Sequence, residues 1–197
     1  MQNLTYPLHF QFKVTTLSSD FTITDNVGNS VGYVRQKLFK LREEVQIFEN
    51  ESRENQLFTI KANQWLDFNA SYSVSDRSGN FLGQIARRGM RSFWKATYDI
   101  INETNTSKYK VQEKNPWIKM MDGLIDEIPL IGMFSGYFLN PTYTVTDQNG
   151  REIFLLKKQP SFWGRKFQLE KTGDPDNDET LVILSLMMMI LLERERG

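Results

Sequence analysis

Three sets of four basic residues stand out: Arg35, Lys37, Lys40 and Arg42, then Arg87, Arg88, Arg91 and Lys95, then Lys157, Lys158, Arg165 and Lys166. Clustered cations with aromatic residues among them suit the anionic headgroups of a membrane surface. The middle set is the strongest candidate. It encloses Phe93 and Trp94, and no acidic residue lies between Leu82 and Tyr98 to cancel its field. Arg87, Arg88, Arg91 and Lys95 are therefore expected to contact anionic phospholipid or phosphoinositide. An alternative stands beside this, because outward strand positions are often Lys or Arg as a guard against aggregation. Nucleic acid is not an expected partner: Lys+Arg and Asp+Glu are both 24, so there is no net positive field.

Catalytic chemistry finds little to work with. There is no Cys and a single His, His9, which removes thiolate zinc sites, Cys nucleophiles and any two-His metal site. Gly132 and Gly136 lack the Gly-Lys-Ser/Thr ending of a phosphate loop. Adjacent acids such as Asp126-Glu127 are too ordinary to mark a site. The chain is expected to be no enzyme and to need no cofactor.

The elements that carry these residues repeat. Phe21-x-Ile23-x-Asp25-x-x-Gly28 returns as Tyr72-x-Val74-x-Asp76-x-x-Gly79 and as Tyr143-x-Val145-x-Asp147-x-x-Gly150. Alternation of an aromatic, a β-branched residue and Asp is strand periodicity. Asp at the first and Gly at the fourth turn position favour a type I turn. Each copy predicts a β-hairpin, followed by basic residues and a further strand, with Ser-Phe-Trp shared at 92–94 and 161–163. Counting on this basis gives strands at 8–15, 20–24, 31–38, 43–49, 56–62, 70–76, 81–87, 94–101, 107–113, 142–147, 152–158 and 164–170. Twelve strands joined by short turns must close or cover their edges, and an antiparallel barrel does this most completely.

Two helices are expected besides. Asn115-Pro116 supplies an N-cap and a first helical position, and Trp117, Met121, Leu124, Ile125 and Ile128 then share one face. The stretch Leu130 to Leu139 is apolar and reads as a core strand or covering loop. The second helix is the apolar run Leu181 to Leu192, broken only by Ser185. Asp174, Asp176, Asp178 and Glu179 precede it and suit the positive end of its dipole. A helix apolar on every side lies in a membrane or wholly inside protein. About twenty residues are needed to span a bilayer, so this run is expected to plug the barrel, with no transmembrane segment. It is expected to be closed to solvent from 181 to 192 and to contact strands of all three repeats. The N-terminal MQNLTYPLHFQF lacks the basic and apolar regions of an export signal, so a cytoplasmic protein, peripheral to a membrane, is expected. At 197 residues the whole chain, 1–197, is expected to form one domain.

A twelve-stranded barrel around a buried C-terminal apolar helix resembles the tubby C-terminal domain and its relatives, the LURP-one-related proteins and the phospholipid scramblases. The three hairpins, the Ser-Phe-Trp strands and residues 167–192 carry the resemblance, which runs from about residue 8 to 195. It is closer to the LURP-one-related and scramblase-like proteins, because tubby signature strings are missing. The superfamily is linked to phosphoinositide binding, lipid scrambling and plant defence. The string Asp174-Pro175-Asp176-Asn177-Asp178 is similar to a scramblase segment proposed to bind calcium, which implies calcium at Asp174, Asp176 and Asp178. It departs from that pattern because Leu181 starts the apolar run at once, and it lacks the Gly and Glu of an EF-hand loop. The resemblance implies a non-enzymatic binding module that touches anionic phospholipid. The alternatives are a scramblase-like lipid transporter, which would need a longer helix, and a carrier of a small apolar ligand.

Overall fold

Each Asp-x-x-Gly segment folds as the turn its residue types require. The computed structural model describes residues 4–13, 20–37, 44–63, 70–88, 97–114, 141–161 and 166–194. In the first turn Asp25 Oδ1 accepts hydrogen bonds from the backbone N–H of Val27 (3.0 Å) and Asn29 (2.8 Å), and Oδ2 accepts from Asn29 Nδ2 (3.0 Å). Asp76 makes the same set with Ser78 and Asn80, and Asp147 with Asn149 and Arg151. The N–H of Gly28, Gly79 and Gly150 closes each turn onto the Asp carbonyl, at φ of 91°, 86° and 78° that only glycine adopts without cost. These bonds hold all three carboxyls below the ordinary aspartate range. At Asp76 the Asn80 side chain contributes most; at Asp25 and Asp147 desolvation opposes the shift and the turn bonds outweigh it.

All twelve expected strands are present: β1 (Leu8–Phe12), β2 (Phe21–Thr24), β3 (Ser30–Lys37), β4 (Glu44–Phe48), β5 (Gln56–Ala62), β6 (Ser71–Asp76), β7 (Phe81–Arg87), β8 (Thr97–Asn102), β9 (Ser107–Glu113), β10 (Thr142–Asp147), β11 (Glu152–Gln159) and β12 (Lys166–Lys171). Every strand pairs antiparallel with its sequence neighbours, and β1 pairs with β12 to close the barrel. Up-and-down order puts all odd-to-even connections on one rim, here called the upper rim. The three Asp turns and the other even-to-odd turns lie on the lower rim. The expected helix near 115–128, the stretch 130–139 and the tripeptide at 92–94 lie outside the described residues.

The chain then enters the barrel as α1 (Glu179–Arg194). Residues 181 to 191 are all buried, and Leu192 at the upper end is half-buried, so the enclosed stretch stops one residue short of the expected one. The helix shares one apolar cluster with strands of all three repeats, and inside the barrel it lies nearer one wall than the other. Its backbone runs closest to β7 and β8, then β6, all in the second repeat. The inward residues explain this. Gly32 of β3, Gly83 of β7 and Phe154 of β11 hold equivalent places four residues after the turn glycines. Gly83 leaves room for Leu181, whose Cδ atoms lie 2.7 and 3.1 Å from where a Cβ would stand. Across the barrel, Phe10, Phe12, Phe21, Phe154 and Phe167 fill the wider gap, with ring centroids 4.9 to 6.5 Å apart among four of them. Gly83 lets the helix in on one side, and phenyl rings stand on the other.

Ser185 lies one turn beyond Leu181 on the same face of α1, where a short side chain permits the close approach. Its hydroxyl is fully buried and has no hydrogen-bond partner among the described residues. Burying an unmet hydroxyl costs about 1–3 kcal/mol. Ser185→Ala is therefore expected to raise the denaturant midpoint, by a free energy of about 1 kcal/mol. A lowered midpoint would contradict this account of the hydroxyl.

Candidate functional site at the upper rim

The three basic sets all follow the second strand of a hairpin, and each such strand ends at the upper rim. The topology therefore gathers at one end the described members of sets that the sequence spreads over 132 positions, from Arg35 to Lys166. The register sorts them further. Gln36, Arg87 and Lys158 occupy the last inward position of β3, β7 and β11, while Arg35, Arg88, Lys157 and Lys166 take outward ones.

Below this layer the inward residues are almost wholly apolar. At the layer itself they turn polar around the second repeat: Tyr72, Arg87, Tyr98, Glu113 and Tyr143, with Lys158 beyond. Glu193 meets them from the end of α1, accepting a hydrogen bond of 2.8 Å from the Tyr98 hydroxyl. Burial raises the phenols of Tyr98 and Tyr143 well above the ordinary tyrosine value, and the Glu193 charge adds to it. Both stay protonated and neutral, so Tyr98 remains a donor. Basic side chains also suit the negative end of the helix dipole, which terminates here. Arg87 thus takes an inward position at the rim, close enough to Tyr98 for its charge to oppose part of that rise.

Arg88 is on the outer wall instead. Its Nε donates to Asp99 Oδ2 on β8 as an ion pair. The hydrogen bond first, then the charge, raises the guanidinium pKa. The middle set is thus not the uncancelled field that its neighbours in sequence suggest, because the cancelling acid sits one residue beyond Tyr98. Arg91 and Lys95 lie outside the described residues. In the third set Lys157 Nζ is paired with Glu170, at 2.8 and 2.7 Å to its two oxygens.

The acidic string is at the opposite, lower rim. Asp174 Oδ1 accepts from the backbone N–H of Asp176 at 3.1 Å, and Asp176 turns through φ 52°. The Asp178 carbonyl accepts the N–H of Val182 at 2.9 Å, the first hydrogen bond of α1. Its carboxylate faces Lys108 Nζ at 3.6 Å and the Tyr109 hydroxyl at 3.4 Å. Glu179 accepts from Tyr6 at 3.0 Å and Lys171 at 2.8 Å. Asp174 and Asp178 thus turn to different neighbours. No three His, Asp or Glu side chains among the described residues are arranged to hold a metal ion. The string acts as the helix entry, joined to the barrel wall through Tyr6, Lys108, Tyr109 and Lys171.

Sequence reading missed Asp99, Glu113 and Glu193. Asp99 carries the clearest signal: an acid on an outward position of a strand whose partner strand ends in two arginines. Glu113 is a charged residue at an inward position of β9, which alternation along Tyr109, Val111 and Glu113 displays.

No curated protein and no solved structure gives a significant match. A family model described as LURP-one-related matches residues 8–122, which is more than half of the 197. The match takes in the first two hairpin repeats with β1 and β9, and so includes the second-repeat strands that hold Arg87, Arg88, Asp99 and Glu113. The third repeat and α1 lie beyond it and supply the rest of the same closed barrel. With the barrel and the sequence match in agreement, this chain belongs to the LURP-one-related family.

Proposed function

We propose that the chain is a single-domain, non-enzymatic binding module whose upper rim contacts anionic phospholipid. One observation carries the reading: the described members of all three basic sets, among them Arg35, Arg87, Arg88, Lys157, Lys158 and Lys166, stand at the same end of the barrel. Arg87, Arg88, Arg91 and Lys95 are the residues proposed to bind; of these, Arg87 and Arg88 stand at the upper end of β7, where Arg35 and Lys166 take outward positions on β3 and β12. The barrel interior supports binding at the rim over carriage within, because α1 occupies it with ten large apolar side chains from Leu181 to Leu191. The same enclosure argues against a scramblase, as no helix among the described residues is long and apolar enough to cross a membrane.

The protein is expected to sediment with vesicles containing phosphoinositide at low salt and to be released as salt rises. Each basic residue near such a surface contributes about 1 kcal/mol, and the attraction fades within a Debye length of about 10 Å at 0.1 M. Replacing Arg91 and Lys95 together by Ala is expected to weaken binding by about tenfold or more. Failure to pellet at low salt would reject the reading.

A further inference from the structure

We infer that Asp99 is a positioning residue for Arg88, holding its guanidinium to receive a phosphate monoester; this rests on the anion-binding reading of the upper rim. The backbone is fixed first. Arg88 N–H donates to the Thr97 carbonyl at 3.0 Å, which continues the β7–β8 ladder to the rim. The side chain then crosses to β8, where Nε donates to Asp99 Oδ2. The two side chains are unequal: Asp99 is 11% exposed and Arg88 62%. The acid is the anchor, and the base is the group presented.

The choice of donor matters. Holding Nε leaves both Nη groups, with their four N–H donors, without a hydrogen bond among the described residues. A guanidinium gripped through one donor keeps a planar pair of others for two oxygens of a phosphate. The hold is also incomplete on the acid's side. Asp99 Oδ1 is buried without a hydrogen-bond partner among the described residues, which costs stability. A pair retained for stability alone would gain by closing a second bond through Nη. The one-donor grip instead fixes the rotation of the fork and leaves it open.

A phosphate monoester can come from a lipid headgroup or from free phosphate, and the test separates them. Sedimentation is measured with phosphatidylcholine vesicles carrying phosphatidic acid or phosphatidylserine, matched in surface charge. Were Asp99 only a subtraction from a basic field, Asp99→Asn would strengthen binding to both. Positioning predicts about tenfold weaker binding to phosphatidic acid with no weakening on phosphatidylserine. Arg88→Lys keeps the charge, loses the fork and is expected to show the same split; it decides alone if Asp99→Asn does not fold. Equal changes on the two vesicles overturn the inference. In a second arm the Arg88 Nε–H resonance is followed by NMR as inorganic phosphate is added. A shift abolished by Asp99→Asn, with no pelleting on either vesicle, makes free phosphate the source and removes the lipid reading while the inference stands. No shift and no pelleting remove both. Where vesicles do pellet, the split between them decides.

Discussion

A chain ending at Asp178 is expected to lose cooperative unfolding altogether. The ten apolar side chains that α1 buries between Leu181 and Leu191 each contribute roughly 1.5–3 kcal/mol, a gross term of about 15–30 kcal/mol. Net stabilities are only about 5–15 kcal/mol. The inward residues of β6 to β8, Gly83 among them, pack against the helix and would lose that contact. The five phenylalanines on β1, β2, β11 and β12 would face an emptied interior. Leu184→Asp tests the same point with the chain intact. Its carboxylate would stand fully buried without a partner, at a cost of about 3–5 kcal/mol. Circular dichroism with a denaturant titration reads both. A truncated chain that stays monomeric and melts in one sharp transition would show that the strands suffice without α1.

The second large effect is expected at Gly83. A Cβ there would lie 2.4 Å from the Ile101 carbonyl oxygen and 2.7 Å from Leu181, and φ is 148°, outside the range of ordinary side chains. Backbone strain of about 1–3 kcal/mol adds to overpacking of about 1–3 kcal/mol. Gly83→Ala should thus remove about 3 kcal/mol or more. Gly32, the equivalent residue of the first repeat, is the control. Its added Cβ would meet Phe48 O at 3.4 Å and Ile47 Cγ2 at 3.6 Å, which is near ordinary contact. Gly32→Ala is expected to cost under about 1 kcal/mol. Equal losses at the two positions would refute the idea that α1 leans on the second repeat.

These two glycines also mark where sequence stopped being sufficient. The hairpins were readable because Asp-x-x-Gly states its own turn, and the burial of α1 because no face of it is polar. The position of α1 inside the barrel was not. It follows from Gly83 on one wall and Phe154 on the other, at equivalent places in repeats whose hairpins otherwise look alike. Neither residue announces what stands opposite it. The same holds at the rim. The basic sets were visible as sets, but their common location came from strand parity, and their separation into Arg87 inside and Arg88 outside came from register. Asp99 escaped notice because Arg88 and Asp99 are eleven positions apart and meet only once β7 and β8 are aligned.

The seam between β1 and β12 sets an order of events for the chain in time. Leu8 finds its partner at Leu169, so the first strand waits until every other strand of the barrel has been made. The neighbouring hairpins can form early, since each pairs strands a few residues apart. Closure cannot precede the arrival of residues 166–171, and α1 follows those directly. An already sealed ring would have to admit sixteen residues of helix through a rim. A curved open sheet, collapsing onto the helix and zipping at the seam in the same act, meets no such obstacle. Until then the sheet bares the free edges of β1 and β12 and an entire apolar face, the two surfaces through which nascent chains adhere to one another. The growing polypeptide is thus at its most vulnerable after β11 is made and before α1 is, a window of the 35 residues after Gln159 up to Arg194 in which a chaperone would have the most to hold.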